Sequence, residues 1–457
     1  MIPATGAQGS PGRVHRARQH PRDIRGNTLV RRKIFGPAAT AAVLGLLPQL
    51  SGCGAPDGGA GDSGTLRLVA AEYGDTPANS SKAYWDKVTD AFTDAHPGIK
   101  VEVRLLPWAD IDREVSRMVK AGKAPDVALM GSYSDFAAQG KLYSAEELLS
   151  VGAEANFLQP LADAGTFDNR LYGLPFVASS RLLFYNEALF TKAGVKEAPK
   201  TWSDLKAAAT ALKDKGVKYP YALPLGPEEA HAEALIWELS NGGGYADGRG
   251  SYSLDSEKNI RTWQWVRDNL VTPGLVGPTA PAEMNRADAF AAFLRGEVGM
   301  LNGYPSLAHE AAAKGIGVGT VAMPVSDSLG SGESPPTVGV ADWMVAFKQN
   351  DKRAEIGKFL EFVYQDKNLS DFVGRYHLLP ATASAARTPA GGGLSRTDED
   401  FLNALRTARL YPVNNPSWVT VSDTIKRNIG RAVEPGGDPK AVLEDMAEKA
   451  EKAADRT

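Results

Sequence analysis

One cysteine, Cys53, occurs in 457 residues. A single thiol closes no internal disulfide and builds no cysteine-rich zinc site. Histidine is sparse too: beyond residue 52 only His96, His231, His309 and His377 remain, widely scattered. No run of 18 uncharged apolar residues follows residue 50, so no membrane span is expected in the body of the chain. Catalytic and phosphate-binding signatures are missing as well, with no Gly-x-Ser-x-Gly, His-Glu-x-x-His or P-loop. Gly315, Gly317 and Gly319 follow a helical pattern and precede an extended one, the reverse of a dinucleotide fingerprint. No cofactor and no metal is expected.

What is present describes a folded chain. The composition is 43% hydrophobic and 23% charged, and the length allows two or three ordinary domains. Charge is unevenly divided. Residues 1–52 hold eight Lys or Arg and one acid, and the remainder holds 43 bases against 53 acids, a net charge near −10. An acidic body argues against nucleic acid or anionic lipid as the main partner.

The first 52 residues read as an export signal. Arg31, Arg32 and Lys33 precede an Ala/Leu-rich stretch that ends in Leu50-Ser51-Gly52-Cys53. This order of positive, apolar and small residues marks a cleaved segment. Leu-Ser-Gly-Cys resembles the bacterial lipobox, which implies lipidation at Cys53. Arg31-Arg32-Lys33-Ile34-Phe35 also resembles a twin-arginine signal, with Val30 where Ser or Thr is usual; general secretion stays open. The Gly-rich segment 53–64 reads as a flexible tether, and the folded body is expected from Thr65.

Along the body, strand and helix patterns alternate. Leu66, Leu68 and Ala70 begin a strand over 65–71. Tyr84, Trp85, Val88, Phe92 and Ala95 share a helical face over 81–96, closed by Pro97-Gly98. Ile99, Val101, Val103 and Leu105 alternate as a half-buried strand, and 126–130 forms another. Later helices are expected near 201–212, 228–240, 256–270, 284–295, 306–314, 351–366, 398–409 and 438–453. Extended segments are expected at 171–177, 182–185, 298–301, 316–323 and 337–347, and a loop at 384–397. The fold class is α/β with a mainly parallel sheet.

Landmarks fall in a fixed order: Pro97-Gly98-Ile99-Lys100-Val101, Ala124-Pro125-Asp126-Val127, Leu171-Tyr172-Gly173-Leu174-Pro175 and Phe184-Tyr185-Asn186-Glu187. Then come Pro199-Lys200-Thr201-Trp202, Gly296-Glu297-Val298-Gly299-Met300-Leu301-Asn302-Gly303 and Gly339-Val340-Ala341-Asp342-Trp343. The series resembles the extracellular solute-binding proteins of ABC importers, in the subgroup that mostly binds sugars, over residues 65 to about 450. That resemblance implies two α/β lobes, of the type II periplasmic-binding-protein kind, hinged around a ligand cleft. Lobe one is expected over 65–176 plus 305–360 and lobe two over 177–304 plus 361–457. It further implies a carbohydrate ligand, a permease partner, a monomer, contact with the membrane through the lipid anchor only, and a place on the outer face of the cell membrane. Gly303-Tyr304 departs from the family's frequent Gly-x-Trp, at a position that often stacks on a sugar.

Ligands of open α/β sheets sit beyond the carboxyl ends of strands. Three such ends carry polar and aromatic residues: Tyr73 and Asp75 after the first strand, Tyr133 and Asp135 after 126–130, and Tyr304 after 298–301. Sugar hydroxyls take carboxylate and amide hydrogen bonds, and a sugar C–H face packs on an aromatic ring. Asp75 and Asp135 also suit helix caps, and the tyrosines suit partly buried structural positions. Glu238, beside a core Trp237, and the hinge-like Asp342 and Trp343 are further candidates. Arg181 and Arg375 are candidate clamps, with surface charge as the plain alternative. No catalytic residue is expected. Against a sugar receptor stand a receptor for glycerol phosphodiester or polyamine, and a secreted lipoprotein hydrolase using a carboxylate pair, which needs no local motif.

Overall fold

A computed structural model of the chain describes residues 64–455 except 75, 109, 249, 330–331, 333–335 and 388–394. The export signal, Cys53, nearly all of the tether and Asp75 lie outside the described residues.

Thirteen strands are described: β1 (Thr65–Ala71), β2 (Lys100–Leu106), β3 (Val127–Met130), β4 (Thr166–Phe167), β5 (Arg170–Leu171), β6 (Leu174–Ser180), β7 (Leu182–Asn186), β8 (Tyr219–Tyr221), β9 (Val298–Gly303), β10 (Val318–Val321), β11 (Val338–Ala346), β12 (Leu379–Pro380) and β13 (Arg409–Leu410). They form two main sheets, one in each lobe. Lobe one holds the order β12-β6-β11-β3-β1-β2, with β13 beside β11; lobe two holds β10-β7-β9-β8. β4 and β5 make a separate hairpin.

Local sequence explains the elements. On β1, Leu66, Leu68 and Ala70 enter one core while Val69 and Ala71 enter the other, so both faces are covered. The helix Lys82–Ala95 buries Tyr84, Trp85, Val88 and Phe92 on one stripe, and Gly98 turns the chain at φ +103°. Trp85, Phe176 and Phe372 pack together under lobe one's sheet, each worth ~1.5–3 kcal/mol of burial.

The structure corrects two expectations. The sheets are mixed rather than mainly parallel: β1 with β2 and β3 is parallel, but β11 runs antiparallel to β3 and β6, and β7 antiparallel to β9 and β10. The cause is the crossing pattern. β6 leaves lobe one, and after Arg181 the chain becomes β7 in lobe two; β11 later returns between β6 and β3. The lobe boundaries move for the same reason. Crossing falls after Ser180 rather than at 176, β10 pairs with β7 of lobe two, and the helix Asp366–Tyr376 packs on β6 and β12 of lobe one. Helices Trp418–Asn428 and Pro439–Ala454 pack against Ala230–Leu239 and Glu257–Val266 in lobe two. The segment expected as a loop also contributes short helical turns at Ala383–Arg387 and the start of the helix Arg396–Leu405.

Candidate functional site

β1 and β3 point their carboxyl ends the same way, and antiparallel β11 places Asp342 beside the end of β3. Between Asp342 and Trp343 the register against β6 slips, an irregularity of the kind that re-aims side chains near sites. The Tyr73 hydroxyl, just past β1, donates to Asp342 Oδ2 at 2.6 Å. Beside it, Gly131 N–H donates to Asp112 Oδ1 at 3.0 Å. Burial pushes the Asp342 carboxyl up to about 7, against the Tyr73 hydrogen bond, and the charges of Asp112 and Glu229 raise it further while Arg181 lowers it. Asp112 is held at about 6, again by burial, with Gly131 and the charge of Lys426 opposing. Asp135, in the first turn of Ser134–Ala138, is half-buried and raised by desolvation, and its charge is felt at Tyr252 of lobe two. Trp108 stands at the rim, 36% exposed, edge-on to Tyr73 with centroids 5.2 Å apart.

The facing wall belongs to lobe two. Arg181, 5% exposed, donates to Glu229 Oε1 at 2.6 Å and to Ser179 Oγ at 3.0 Å. Arg286 pairs with Glu229 Oε2 at 2.7 Å and with Glu228. Both guanidinium groups lie over the Tyr304 ring, at 4.5 Å for Arg181 and 5.4 Å for Arg286, and Phe290 packs at 5.0 Å. The Tyr304 ring thus already packs against two guanidinium groups and Phe290, and burial lifts its hydroxyl to about 12. Behind this cluster a pocket of about 20 Å³, room for one water-sized group, is lined by Arg181, Glu229, Glu233, Arg286 and Asn302. Glu233 Oε1 accepts from Tyr221 at 2.8 Å and from Trp237 and Asn302 at 3.0 Å, and desolvation raises it to about 7. Among the described residues Asn302 Oδ1 is buried without a partner, as is the hydroxyl of Tyr411, which feels the charges of Glu229 and Arg181. Tyr411 stacks on Trp418 at 5.5 Å.

Of the residues singled out in the sequence, the structure brings together Tyr73, Asp342, Arg181 and Tyr304, with Asp135 on the same lobe-one edge. Others go elsewhere. Tyr133 is buried, donates to Ala164 O at 2.7 Å and packs on Trp343, itself fully buried. A side chain at Gly173 would strike the Tyr133 ring at 2.6 Å, so this contact is closed from both sides. Glu238 lies inside lobe two, accepting from Trp263 at 3.0 Å, with burial raising it to about 8. Arg375 is on an exposed helix face beside Asp371. Asp112, Trp108, Glu229 and Arg286 went unread. Trp108 alone carried a signal, since it follows β2 as Tyr73 follows β1. Among the described residues, no group of His, Cys, Asp and Glu is placed to hold a metal, and no helix is long and apolar enough to cross a membrane.

Comparison with known proteins adds to this geometry. Residues 77–369 match the family described as bacterial extracellular solute-binding protein. A binding protein of Brucella abortus (strain 2308) is 28% identical over 404 residues, covering 85% of this chain and 93% of its own. The galactooligosaccharide-binding protein of Bacillus subtilis (strain 168) is 25% identical over 383 residues, covering 79% of this chain and 84% of its own. In fold, the GacH receptor of Streptomyces glaucescens, solved unliganded and with acarbose, superposes with a TM-score of 0.72 at 19% identity, over 86% of this chain and 99% of the receptor.

Proposed function

Because this chain belongs to the bacterial extracellular solute-binding proteins, we propose that it captures a saccharide between its two lobes and delivers it to an ABC permease. The observation that carries the reading is the meeting of two strand-end edges. Tyr73, Asp112 and Asp342 come from one lobe, and Arg181, Glu229 and Asn302 line the other. Their acceptors suit the hydroxyl donors of a sugar, and Trp108 supplies the exposed ring that a pyranose face needs. Relatives named for galactooligosaccharide and a receptor solved with acarbose support the ligand class. Ligand closes the lobes, so that groups from both walls reach it together. The protein acts as a monomer and is tethered through a lipidated Cys53 on the outer face of the membrane. It is a receptor without turnover.

A thermal-shift screen over mono- and oligosaccharides, polyamines and phosphodiesters tests the reading. A ligand at about 100 times its dissociation constant adds ~2.7 kcal/mol of stability. A saccharide hit followed by calorimetric titration is the expected result. Stabilisation by phosphodiesters alone, or hydrolysis of a bound glycoside, overturns it. Cys53→Ser should move the protein from the membrane fraction to the soluble fraction, and retention in the membrane fraction would refute the anchor.

A further inference from the structure

Two of the four histidines beyond residue 52 meet face to face. The rings of His309 and His377 stack with centroids 3.9 Å apart, 13° from parallel. His309 belongs to the helix Pro305–Ala313, which lies between β9 and β10 of lobe two and packs on β10. His377 lies between the helix Asp366–Tyr376 and β12, both packed on β6 of lobe one. The stack therefore joins one lobe to the other.

A carboxylate fixes the pair. His309 Nε2 meets Asp398 Oδ1 at 2.9 Å, and since a carboxylate only accepts, that nitrogen carries a proton. Asp398 is in the first turn of the helix Arg396–Leu405, which packs on β6 and on the helix that carries His309. Against burial, hydrogen bonds from His309 and Ser395 hold its carboxyl below the usual range, so it stays charged.

The backbone adds an independent observation. His377 caps its helix at φ +50°, in the left-handed region, and its N–H donates to Val373 O. Glycine or asparagine takes that conformation at least cost. Histidine is not what this turn requires, and what it supplies there is the ring against His309.

Charge decides whether such a stack holds. One imidazolium beside Asp398 is paired, whereas two imidazolium rings at 3.9 Å repel. Other charged side chains near the pair in sequence are Glu310 and Lys314 after His309, Arg375 before His377, and Arg396 and Glu399 beside Asp398; β6, β10 and β12 bring no titratable group. Arg375 is turned to Asp371. Burial and then the charge of His309 push His377 below its usual value, and Asp398 opposes them. The fold thus favours neutral His377, whose share of stability is whole above about pH 6.5 and is lost as pH falls below it.

We infer that the His309–His377 stack is a pH-sensitive clasp between the lobes, held while at most one ring is charged and released when both are. The clasp goes beyond the saccharide reading and does not depend on which solute enters the cleft.

Interlobe distance as a function of pH decides it. In the full chain carrying Cys53→Ser, spin labels at Asp90→Cys and Ala207→Cys occupy exposed positions on the helices Lys82–Ala95 of lobe one and Trp202–Asp214 of lobe two. Without ligand, the separation should change by more than about 2 Å between about pH 8 and about pH 5.5. His377→Asn suits the left-handed backbone and so removes the ring without endangering the fold. It should show at both pH values the separation that its parent shows only at the lower one. His309→Phe keeps a stacked ring and removes one charge, so the separation found at high pH should persist at low pH. Asp342 and Asp112 also titrate in this range. A pH response that survives intact in His377→Asn therefore belongs to those cleft carboxylates and overturns the clasp, as does an unchanged separation in the parent. Proton NMR of the imidazoles gives a second readout. The His377 midpoint should lie below about 6.5 and rise in His309→Phe, and a midpoint unmoved by that substitution overturns the coupling between the rings.

Discussion

Asp342 and Asp112 sit at the carboxyl end of β3 with no cation in pairing distance among the described residues, whereas across the cleft Glu229 is gripped by Arg181 and Arg286 from two directions. The same residue type thus meets two environments. On the lobe-one wall burial lifts the carboxyls to about 7 and about 6. On the lobe-two wall Glu229 is ion-paired with two guanidinium groups, which stack on Tyr304 besides. One wall is thus finished within the protein, and the other is left unfinished, its carboxylates without an ion pair among the described residues. A preassembled wall contributes rigidity, and an unfinished one contributes selectivity, because its unmet groups reject a ligand that cannot answer them.

Breaking the finished wall should have the largest effect. Arg181→Ala leaves Glu229 and the Tyr304 ring with Arg286 as their one remaining cation among the described residues, and should destabilise the fold by about 3 kcal/mol, read from denaturant unfolding. A loss under ~1 kcal/mol would mean that Arg286 alone holds that wall.

Next is the rim of the unfinished wall. Trp108→Ala should weaken saccharide binding by ~1–3 kcal/mol while stability changes by less than ~0.5 kcal/mol, since the ring is largely outside the core. Calorimetry and thermal unfolding of the same variant separate the two, and unchanged affinity would remove Trp108 from the site.

Sharper still is the pH dependence of Asp342. Its carboxyl titrates near 7 in the fold against about 4 unfolded, so the native state binds the proton more strongly. Its contribution is fully favourable below about pH 4 and is lost as pH rises to about 7. Asp342→Asn should therefore add about 1–2 kcal/mol at pH 8 and almost nothing at pH 4. Equal gains at both pH values would show that charge is not the cause.

The smallest expected change is at Tyr304. Tyr304→Phe keeps a ring beneath both guanidinium groups and should alter ligand affinity by less than ~0.5 kcal/mol. A large loss would restore the hydroxyl to the ligand's first contacts.

Much of the fold was legible because its signals are local. β1, β2 and the helix Lys82–Ala95 follow from alternation and a single apolar stripe. Mixed sheet direction was not, since it depends on β11 threading between β6 and β3, and nothing near residue 340 states that. In the site, the strand-end rule found Tyr73 and Tyr304, while Asp342 was reached through its hinge-like position and Arg181 as a candidate clamp. The rule failed at Tyr133, which has the same position after a strand but turns onto Gly173 and Trp343. Glu229 and Arg286 are separated by more than fifty residues, and each alone reads as an ordinary charge near a helix start. Glu238 misled because its helix, Ala230–Leu239, is buried on nearly all sides, and an interior carboxyl served by Trp263 looks in sequence like a cleft carboxyl.

Arg181 is the single residue between β6 and β7, and its carbonyl accepts from Thr337 Oγ1 at 2.6 Å, on the strand of chain that returns to lobe one. It therefore stands on the pivot itself. Points on a pivot travel least when the two halves swing, so the grip of Arg181 on Glu229 should survive opening and closing alike, whereas Asp342 and Trp108 change their distance to everything opposite. Spectroscopic probes at Glu229 and Trp108 would read this as one silent reporter and one loud one during the same titration. The receptor then carries its own fixed reference point, against which the ligand is measured by how far the outer wall must move to reach it.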